Sequence, residues 1–384
     1  MILLRVTLIF ILLLILPDWY IYKKFIASRN VRNVWMKRLY WLPSILLFLA
    51  LIVFLCGAYQ SFMPFGIYLV TMLSITCPKA VFTLFHLILH SVFRLKKPAT
   101  LISLALSIAT FCYILFGAIV GKHYYHVKEV AFYSKDLPEV FDGYRILQIS
   151  DIHSGSWNNN VAEMKRAIEL CNAQQADVAF FTGDLVNSLE EEVTIFDEVL
   201  SSLKAKDGVY AVLGNHDYGT YAKWRNKAEQ IANIEKLIRH ERRLGWDILI
   251  NEHRVIRRGK DSLVIVGVEN SGKPPFPNRG NLPKALAGTS QESFKVLLSH
   301  DPTHWRRKVL PETNIQLMLA GHTHDKQMSL FGFSPAVFIY PEHRGLYEKD
   351  DRGLYVNIGL GYVLFPMRIG AWPEITVITL KKQR

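Results

Sequence analysis

Four long apolar stretches in the first third of the chain constrain its fold more than any other feature. They lie near residues 1–22, 41–59, 65–93 and 99–121. Each is close to the roughly 20 apolar residues that cross a bilayer core as a helix. Because a helix satisfies its own backbone polar groups, such segments favour membrane helices. The sequence therefore predicts an N-terminal bundle of about four transmembrane helices.

Two of these stretches allow a second interpretation. The first, "MILLRVTLIFILLLIL", has the length of a cleaved signal peptide, but it lacks an obvious small-residue cleavage site and three more apolar stretches follow it. The third contains Pro78 and Lys79. A lysine inside a membrane is costly unless it faces a partner or a wet cavity, and if this stretch is a break the predicted topology inverts.

Basic residues predict the orientation of the bundle, since Lys and Arg are retained in cytoplasmic loops. The turn at 60–64 holds no charge, whereas the loops on either side are basic. The residues concerned are Lys23, Lys24, Arg29, Arg32, Lys37, Arg38, Arg94, Lys96 and Lys97. We therefore expect a multi-pass membrane protein whose C-terminal domain is extracytoplasmic.

The net charge of +12 does not indicate a nucleic-acid partner. Residues 1–128 carry 13 Lys/Arg and one acid, whereas residues 129–384 carry 32 residues of each sign. The C-terminal region therefore has no charge excess for a polyphosphate backbone. It also holds a single cysteine, Cys171, which excludes an intrachain disulfide framework there.

Beyond the membrane stretches, strand-like and helix-like patterns alternate. "YRILQIS", "DVAFFTGD" and "GVYAVLGNHD" read as strands, and "NVAEMKRAIELCNAQQ" and "EEEVTIFDEVLSSLKA" read as amphipathic helices. This alternation predicts parallel β-α-β units. The expected organisation is a transmembrane region at 1–121, a linker with a first edge strand at 122–142, and a C-terminal domain at 143–384.

Polar clusters end five of the strand-like runs: "QISDIHSG", "FFTGDLVN", "VLGNHDYG", "LLSHDP" and "LAGHTHDK". Each cluster alone is more typical of a turn or a helix cap, but all five together argue against coincidence. Ligands bind at the carboxyl ends of strands in open α/β sheets, so we expect the clusters to share one rim. The residues concerned are Asp151, His153, Asp184, Asn215, His216, His300, His322 and His324.

Carboxylates, an amide and imidazoles without a thiolate suit Mn²⁺, Fe²⁺ or Zn²⁺. A structural zinc site would normally use cysteine. The number of donors exceeds one tetrahedral site and suits two divalent ions about 3.5–4 Å apart, an arrangement that attacks phosphoesters in line.

The ordered set DxH, GD, GNHD, H and GHTH resembles the calcineurin-like metallophosphoesterase superfamily over about residues 130–384. The tail "LYVNIGLGYVLFPMRIGAWPEI", with Arg368 before Pro373 and Glu374, is similar to the bacterial membrane-associated YkuE-like branch. The resemblance implies a four-layer α/β/β/α sandwich and a metal-dependent phosphoesterase that uses metal-activated hydroxide.

The resemblance also implies a role for each residue of the set. The first metal would be bound by Asp151, His153 and His324. The second would be bound by Asn215, His300 and His322, with Asp184 bridging the two ions. The implied catalytic residues are His216, which would face the scissile phosphate, and Asp217, which would orient the His216 ring.

Two features leave alternatives open. Asp325, Lys326 and Gln327 follow His324, where many relatives have two glycines before the glutamine. Asp325 would either bind metal, disfavour an anionic substrate, or be a solvated loop charge. The stretch "ENSGKPPFPNRGN" (269–281) would either border the site or form a plain surface connection.

The predicted function is that of a membrane-anchored, two-metal phosphohydrolase. About 20 residues separate the last apolar stretch from the first core strand, so a lipid or membrane-proximal phosphoester is the expected substrate class. A lipid-sugar nucleotide pyrophosphatase of the UDP-diacylglucosamine type is a narrower alternative, but it requires the cytoplasmic face. A non-catalytic metal-binding scaffold and a transporter with an appended domain are less consistent with the complete residue set and with the scarcity of intramembrane charge.

Overall fold

The computed structural model describes residues 2–27, 34–55 and 62–383. Three residues used to predict the topology, Arg29, Arg32 and Gln60, lie outside these ranges. The chain divides into two compact units. The first comprises Met1–Val120 and Leu364–Met367, and the second comprises Gly121–Val363 and Arg368–Arg384.

The first unit is mainly helical in the part that the structure describes. Its helices are α1 (Ile2–Ile21), α2 (Val34–Leu39), α3 (Leu42–Leu55), α4 (Phe62–Leu87) and α5 (Lys97–Ile119), and π-helical turns at Tyr22–Ala27 and Ile88–Val92 follow α1 and α4. Among the described residues, three stretches are long and apolar enough to cross a membrane, namely Lys37–Phe54, Pro64–Val92 and Lys97–His123. These stretches agree with a membrane protein, whereas four passes and an extracytoplasmic C-terminal domain stay predictions.

Helix α4 is continuous through Pro78, so the third apolar stretch is a helix rather than a break. Lys79 on α4 has the partner that its position requires, because its Nζ lies 2.7 Å from Oδ1 of the fully buried Asp18 on α1. Tyr40 donates to the same carboxylate oxygen at 3.0 Å, and Ser44 on α3 donates to the other. The ion pair therefore connects α1 and α4, and the hydroxyl groups of Tyr40, just before α3, and Ser44, within α3, hydrogen-bond to it.

Removal of one member of this pair is expected to destabilise the helical unit. In Lys79→Met, Asp18 would stay buried without its countercharge, which typically costs about 3–5 kcal/mol in a protein interior. We expect a clear fall in the unfolding temperature of the detergent-solubilised full chain, and recovery of most of it in Asp18→Asn/Lys79→Met. Lys97→Met removes an exposed lysine and is the matched control. Equal losses in Lys79→Met and Lys97→Met would contradict the importance of the pair.

The second unit contains two six-stranded sheets. The first sheet has the order β1-β12-β2-β3-β4-β5 and the second has the order β10-β11-β9-β8-β7-β6. The strands are β1 (His126–Ser134), β2 (Arg145–Ile149), β3 (Val178–Phe181), β4 (Val209–Ala211), β5 (Trp246–Ile248), β6 (Glu252–Arg258), β7 (Asp261–Gly267), β8 (Phe294–Leu298), β9 (Leu317–Ala320), β10 (Gly345–Lys349), β11 (Arg352–Val356) and β12 (Glu374–Lys382). The α-helices are α6 (Val161–Asn172), α7 (Asp197–Ser201), α8 (Lys227–Arg243), α9 (Leu282–Leu286) and α10 (Leu310–Glu312).

Side-chain alternation along the strands builds the layers. In β3, Val178 and Phe180 join the apolar core between the two sheets, whereas Ala179 and Phe181 join the core beneath the helices. Helices α6, α7 and α8 cover the first sheet, and α9 together with the segment around Trp305 covers the second. The predicted four-layer α/β/β/α sandwich is confirmed.

One predicted helix is largely absent. The run "EEEVTIFDEVLSSLKA" forms two short 3₁₀ turns and then α7, which is five residues long. The carboxylate of Glu192 accepts N–H groups from Asn187, Ser188, Leu189 and Gly155 at 2.6–3.2 Å. Because this residue caps the preceding loop, the chain tightens there instead of continuing as a regular helix.

The parallel strands that precede the polar clusters end at one edge of the two sheets. β2, β3 and β4 are parallel neighbours in the first sheet, and β8 and β9 are parallel neighbours in the second. Gln148 on β2 donates to the carbonyl oxygen of Ala320 at the end of β9 at 2.9 Å. This contact joins the two sheets at the edge where the predicted site residues follow.

Candidate metal centre

The structure brings the strand-end residues together as a compact cluster. Nε2 of His324 lies 3.0 Å from Nε2 of His153 and 3.1 Å from Oδ1 of Asp151. Nε2 of His300 lies 3.1 Å from Oδ2 of Asp184. These side chains are buried, so their nitrogen and oxygen atoms meet with little access to water.

Three overlapping groups of side chains have the spacing of metal ligands. In each group the ligand atoms lie within 4.8 Å of one another. The groups are Asp151, His153 and His324; His153, Asp184 and His216; and Asp184, His300 and His322. Asp184 and His153 each belong to two groups, so the three groups form one continuous cluster.

Asn215 completes this set through its side-chain oxygen. Its Nδ2 donates to the hydroxyl of Tyr221 at 3.0 Å, which fixes the orientation of the amide. Its Oδ1 is buried and has no hydrogen-bond partner. A buried acceptor without a partner is costly, and a cation beside it would satisfy it. The residues present therefore fit divalent metal ions.

Unusual backbone conformations place these side chains. Asp151, His153, Asp184, His322 and His324 all have φ between 51° and 75°. Residues with side chains adopt this left-handed region rarely and at a cost of about 1–3 kcal/mol each, and such residues cluster at functional sites. The loops thus turn sharply at the strand ends and direct several side chains into one small volume.

Two glycines give the carboxylates their space. A Cβ at Gly321 would collide with the side chains of Ser150 and Asp151, and a Cβ at Gly214 would collide with the carboxylate of Asp184. The glycines of the "GHTH" and "GNHD" motifs are therefore required by close approach to the neighbouring ligand.

Three of the histidine rings are oriented by contacts of their outer nitrogen. Nδ1 of His300 lies 2.7 Å from the carbonyl oxygen of Thr182, and Nδ1 of His216 lies 2.8 Å from that of Asn187. Nδ1 of His324 lies 3.1 Å from Nη2 of Arg368. The two carbonyl oxygens accept the Nδ1–H of His300 and His216, which fixes these rings and leaves Nε2 as an acceptor. The guanidinium of Arg368 can only donate, so in its contact with His324 the ring Nδ1 is the acceptor.

The electrostatics of the cluster favour cations. Burial would raise the pKa of Asp184, but the imidazoles of His300 and His216 hold that pKa well below its ordinary value. Burial would lower the pKa of His300, but the carboxylates of Asp184 and Asp151 raise it to about 10. Burial lowers the pKa of His322 to about 4, so this ring is neutral near pH 7. The site thus combines ionised carboxylates with a neutral imidazole at His322 and a protonated one at His300, which would release its proton when a metal binds.

Asp217 does not orient the ring of His216, and this expectation was wrong. Its two carboxylate oxygens accept backbone N–H groups from Gly214, Asp184, Leu185 and Val186 at 2.8–3.2 Å. The carbonyl of Asn187 contacts the His216 ring instead. Asp217 therefore organises the loops that carry Asp184 and Asn215.

The structure also distinguishes the open alternatives. Asp325 is not a solvated loop charge, because it is fully buried and its Oδ2 accepts a hydrogen bond from Nη1 of Arg344 at 3.1 Å. The 269–281 stretch borders the site, since the ring of Phe276 packs edge-on against that of His322 with centroids 4.7 Å apart.

Sequence reasoning missed several residues that contact the site. Arg368 was noted only as part of a family-like tail, and Tyr221 and Tyr340 were not singled out. The hydroxyl of Tyr340 lies 2.9 Å from Nε2 of His322, and the ring of Tyr221 stacks on that of His216 with centroids 4.2 Å apart. Tyr221 follows the "GNHD" motif closely in the sequence, and this position could have identified it as a site residue. No comparable sequence feature marks Tyr340.

Arg368 is completely buried and has an unusual set of partners. It donates to the carbonyl oxygens of Ile358, Gly361 and Ala371 at 2.6–2.9 Å, in addition to its contact with His324. Burial lowers its pKa to about 10, so it keeps its charge at neutral pH. The guanidinium therefore holds the 358–371 loop around the His324 ring.

We expect Arg368→Lys to weaken metal binding by about 10–100-fold, as loss of a contact behind a ligand commonly does. A single ammonium cannot replace a planar group that reaches three carbonyls and a ring. The measurement is equilibrium dialysis of the full chain in detergent against Mn²⁺, with the bound metal quantified. Arg352→Lys is the matched control, because Arg352 also donates to two backbone carbonyls, those of Leu310 and Thr313. Equal Mn²⁺ affinity in both variants would refute the role of Arg368.

Two family models match the chain. The model described as "Calcineurin-like phosphoesterase" matches residues 144–326, which contain all of the strand-end clusters. The model described as "Probable Calcineurin-like phosphoesterase, transmembrane domain" matches residues 4–122.

Similar proteins occur in animals and bacteria. The chain is 30% identical over 276 residues to a transmembrane protein with metallophosphoesterase domain from Danio rerio, a match that covers 70% of this chain and 60% of the fish protein. It is 28% identical over 276 residues to the metallophosphoesterase YkuE of Bacillus subtilis, which covers 69% of this chain and 89% of YkuE. A bovine protein with the same name as the fish one is 29% identical over 252 residues, covering 64% of this chain and 54% of the bovine protein. The chain thus spans little more than half the length of the two vertebrate relatives.

Proposed function

This chain carries a calcineurin-like phosphoesterase domain behind a transmembrane phosphoesterase domain, which makes it a membrane-associated metallophosphoesterase, and from that premise we propose that it is a two-metal phosphohydrolase. One observation carries the proposal. The three groups of potential ligands overlap at Asp184 and His153, so two cation positions share a carboxylate.

The proposed ligands follow the strand ends. Asp151, His153 and His324 hold one ion, Asn215, His300 and His322 hold the other, and Asp184 bridges them. The ions are Mn²⁺, Fe²⁺ or Zn²⁺. When bound, they supply positive charge for the phosphoryl oxygens and make a water acidic enough to act as the nucleophile near neutral pH.

His216 is the proposed catalytic residue. Its Nδ1 donates to the carbonyl of Asn187 and its ring stacks on Tyr221, so Nε2 is the nitrogen left for substrate. In the protonated ring, Nε2–H would donate to a phosphoryl or leaving-group oxygen. Asp217 is a positioning residue, since its hydrogen bonds to the backbone at Asp184 and Gly214 support the turn from which His216 projects.

The membrane domain supports a substrate in or beside the bilayer. Helix α5 ends at Ile119 and β1 begins at His126, so only residues 120–125 connect them. Six residues reach at most about 22 Å when extended. A phosphoester at the membrane surface, such as a lipid-linked one, is therefore within reach of a domain that cannot move far from the bilayer.

The proposed activity is tested with the purified full chain in detergent loaded with Mn²⁺. We expect hydrolysis of a nitrophenyl phosphate monoester or of a bis-nitrophenyl diester, whichever the site prefers. His216→Ala should lower kcat by about 10²–10⁴-fold, the range for loss of a general acid, without loss of metal. Asp184→Asn should lose metal and activity together.

His126→Ala, which alters an exposed histidine on β1, is the control for His216→Ala. Equal activity in these two variants would contradict the role of His216. A chain that neither binds metal nor turns over either ester would be a scaffold rather than an enzyme.

The basic loops of the helical unit favour an extracytoplasmic catalytic domain, and we propose this topology. Lys260→Cys places a thiol in the exposed turn between β6 and β7. We expect a membrane-impermeant maleimide to label this variant in sealed right-side-out vesicles, with the unsubstituted chain as the control. Labelling only after the vesicles are opened would place the domain in the cytoplasm. That result would favour a pyrophosphatase acting on a lipid-sugar nucleotide.

A further inference from the structure

An exposed apolar loop follows the "GHTH" motif in the sequence. This loop, Leu330–Ile339, exposes Leu330, Phe331, Phe333, Val337, Phe338 and Ile339. Phe331 is 100% exposed and Phe338 is 79% exposed. The sequence from 330 to 341 contains no charged residue. An apolar patch of this kind on a soluble surface usually marks an interaction site.

The loop is held by regular contacts and is not a loose connection. Leu330 and Phe333 exchange backbone hydrogen bonds at 2.8 and 2.9 Å, which closes a two-residue hairpin turn. The two central residues, Phe331 and Gly332, have φ of 50° and 84°, as tight hairpin turns require. The turn therefore fixes Phe331 at its tip, with its side chain in solvent.

Both ends of the apolar loop are attached to the candidate metal centre. Arg344 donates to the carbonyl of Gly332 at 2.5 Å and to Oδ2 of Asp325 at 3.1 Å, and Asp325 directly follows His324. At the other end, the hydroxyl of Tyr340 contacts His322. The loop thus lies at the border of the site, where it can influence what approaches.

The two carboxylates that flank the apolar loop, those of Asp325 and Glu342, are both paired with arginine side chains. Asp325 is paired with Arg344, and the buried Glu342 lies 2.5 Å from Nη2 of Arg306. An uncharged apolar loop whose flanking carboxylates are paired is suited to a lipid surface that bears phosphate groups.

We propose that the apolar loop inserts its aromatic tips into the bilayer interface and holds the site over phosphoesters that are embedded there. The bilayer is the occupant that the chain itself brings near, since six residues connect the last membrane helix to β1. The tether places lipid at a high effective concentration around the domain, so even weak insertion is populated. The delivery of substrate rests on the proposed function, whereas the insertion of the loop does not.

Insertion is tested with the full chain in nanodiscs of phosphatidylcholine and phosphatidylglycerol in a 3:1 ratio, with unlabelled or brominated phosphatidylcholine chains. The probe is Phe331→Trp, and its added fluorescence is obtained by subtraction of the unsubstituted chain. We expect brominated lipid to quench this added fluorescence by about half or more, because apolar groups inserted at the interface lie about 5–10 Å into the headgroup and acyl boundary. Ile195→Trp, at a half-exposed apolar position in the Thr194–Phe196 turn, should be quenched far less. Equal quenching at both positions would overturn the proposal.

Delivery is tested with two phosphodiesters that share the same scissile bond. Hexadecyl nitrophenyl phosphate resides in the bilayer, and ethyl nitrophenyl phosphate is soluble. In Phe331→Ser/Phe338→Ser we expect kcat/KM to fall about tenfold for the hexadecyl ester and to change less than about twofold for the ethyl ester, since the loop does not touch the reacting atoms. Ile195→Ser is the control for removal of an exposed apolar side chain.

The outcomes separate the two proposals. Quenching at Phe331→Trp with no hydrolysis of either diester or of nitrophenyl phosphate would support insertion of the apolar loop and count against the enzymatic function. Hydrolysis of both esters that falls equally in the loop variant would contradict delivery. Absence of quenching at Phe331→Trp, together with dissociation of an oligomer in Phe331→Ser/Phe338→Ser in detergent, would overturn insertion into lipid. This result would show that the apolar loop binds a second copy of the chain.

Discussion

The burial of two ionised carboxylates, Asp151 and Asp184, at one edge of two packed sheets is the constraint on which the C-terminal unit depends. A buried anion is costly unless hydrogen bonds and positive charge surround it. Backbone N–H groups of His322 and His216 meet these carboxylates, and imidazoles face the remaining oxygens. The left-handed backbone at the strand ends and the two close glycines follow from the same requirement, because they let carboxylates and rings meet in one small volume.

Both units bury an acidic residue and compensate it in different ways. In the helical unit Asp18 has a permanent internal partner in Lys79, with hydroxyl groups around it. In the sandwich the carboxylates face titratable imidazole rings, among them His300, whose pKa they raise, and the amide oxygen of Asn215 has no hydrogen-bond partner. The first arrangement is complete within the protein and structural in character. The second is suited to accept cations from solution.

The positions of the site residues could be predicted from the sequence because each follows an apolar strand, and the ends of parallel strands meet at one edge. The four-layer arrangement was implied by the resemblance of the motif set to a known superfamily. The contacts behind the ligands could not be predicted from the sequence. Arg368 reaches His324 across 44 residues of sequence and Tyr340 reaches His322 across 18, and no local pattern marks such pairs. Asp325 looked solvated because its partner, Arg344, lies 19 residues further on. Asp217 was misjudged because its neighbour in sequence, His216, is not its partner in space.

The short connection between α5 and β1 changes which concentration matters to this protein. A soluble hydrolase samples the bulk volume and responds to molarity. A domain whose first strand is tied to a membrane helix by six residues, at most about 22 Å when extended, searches in two dimensions. For a substrate that shares the bilayer, the governing quantity is its mole fraction among the lipids. Addition of inert lipid would then slow turnover by surface dilution, whereas dilution of the whole suspension with buffer would leave the rate per enzyme unchanged.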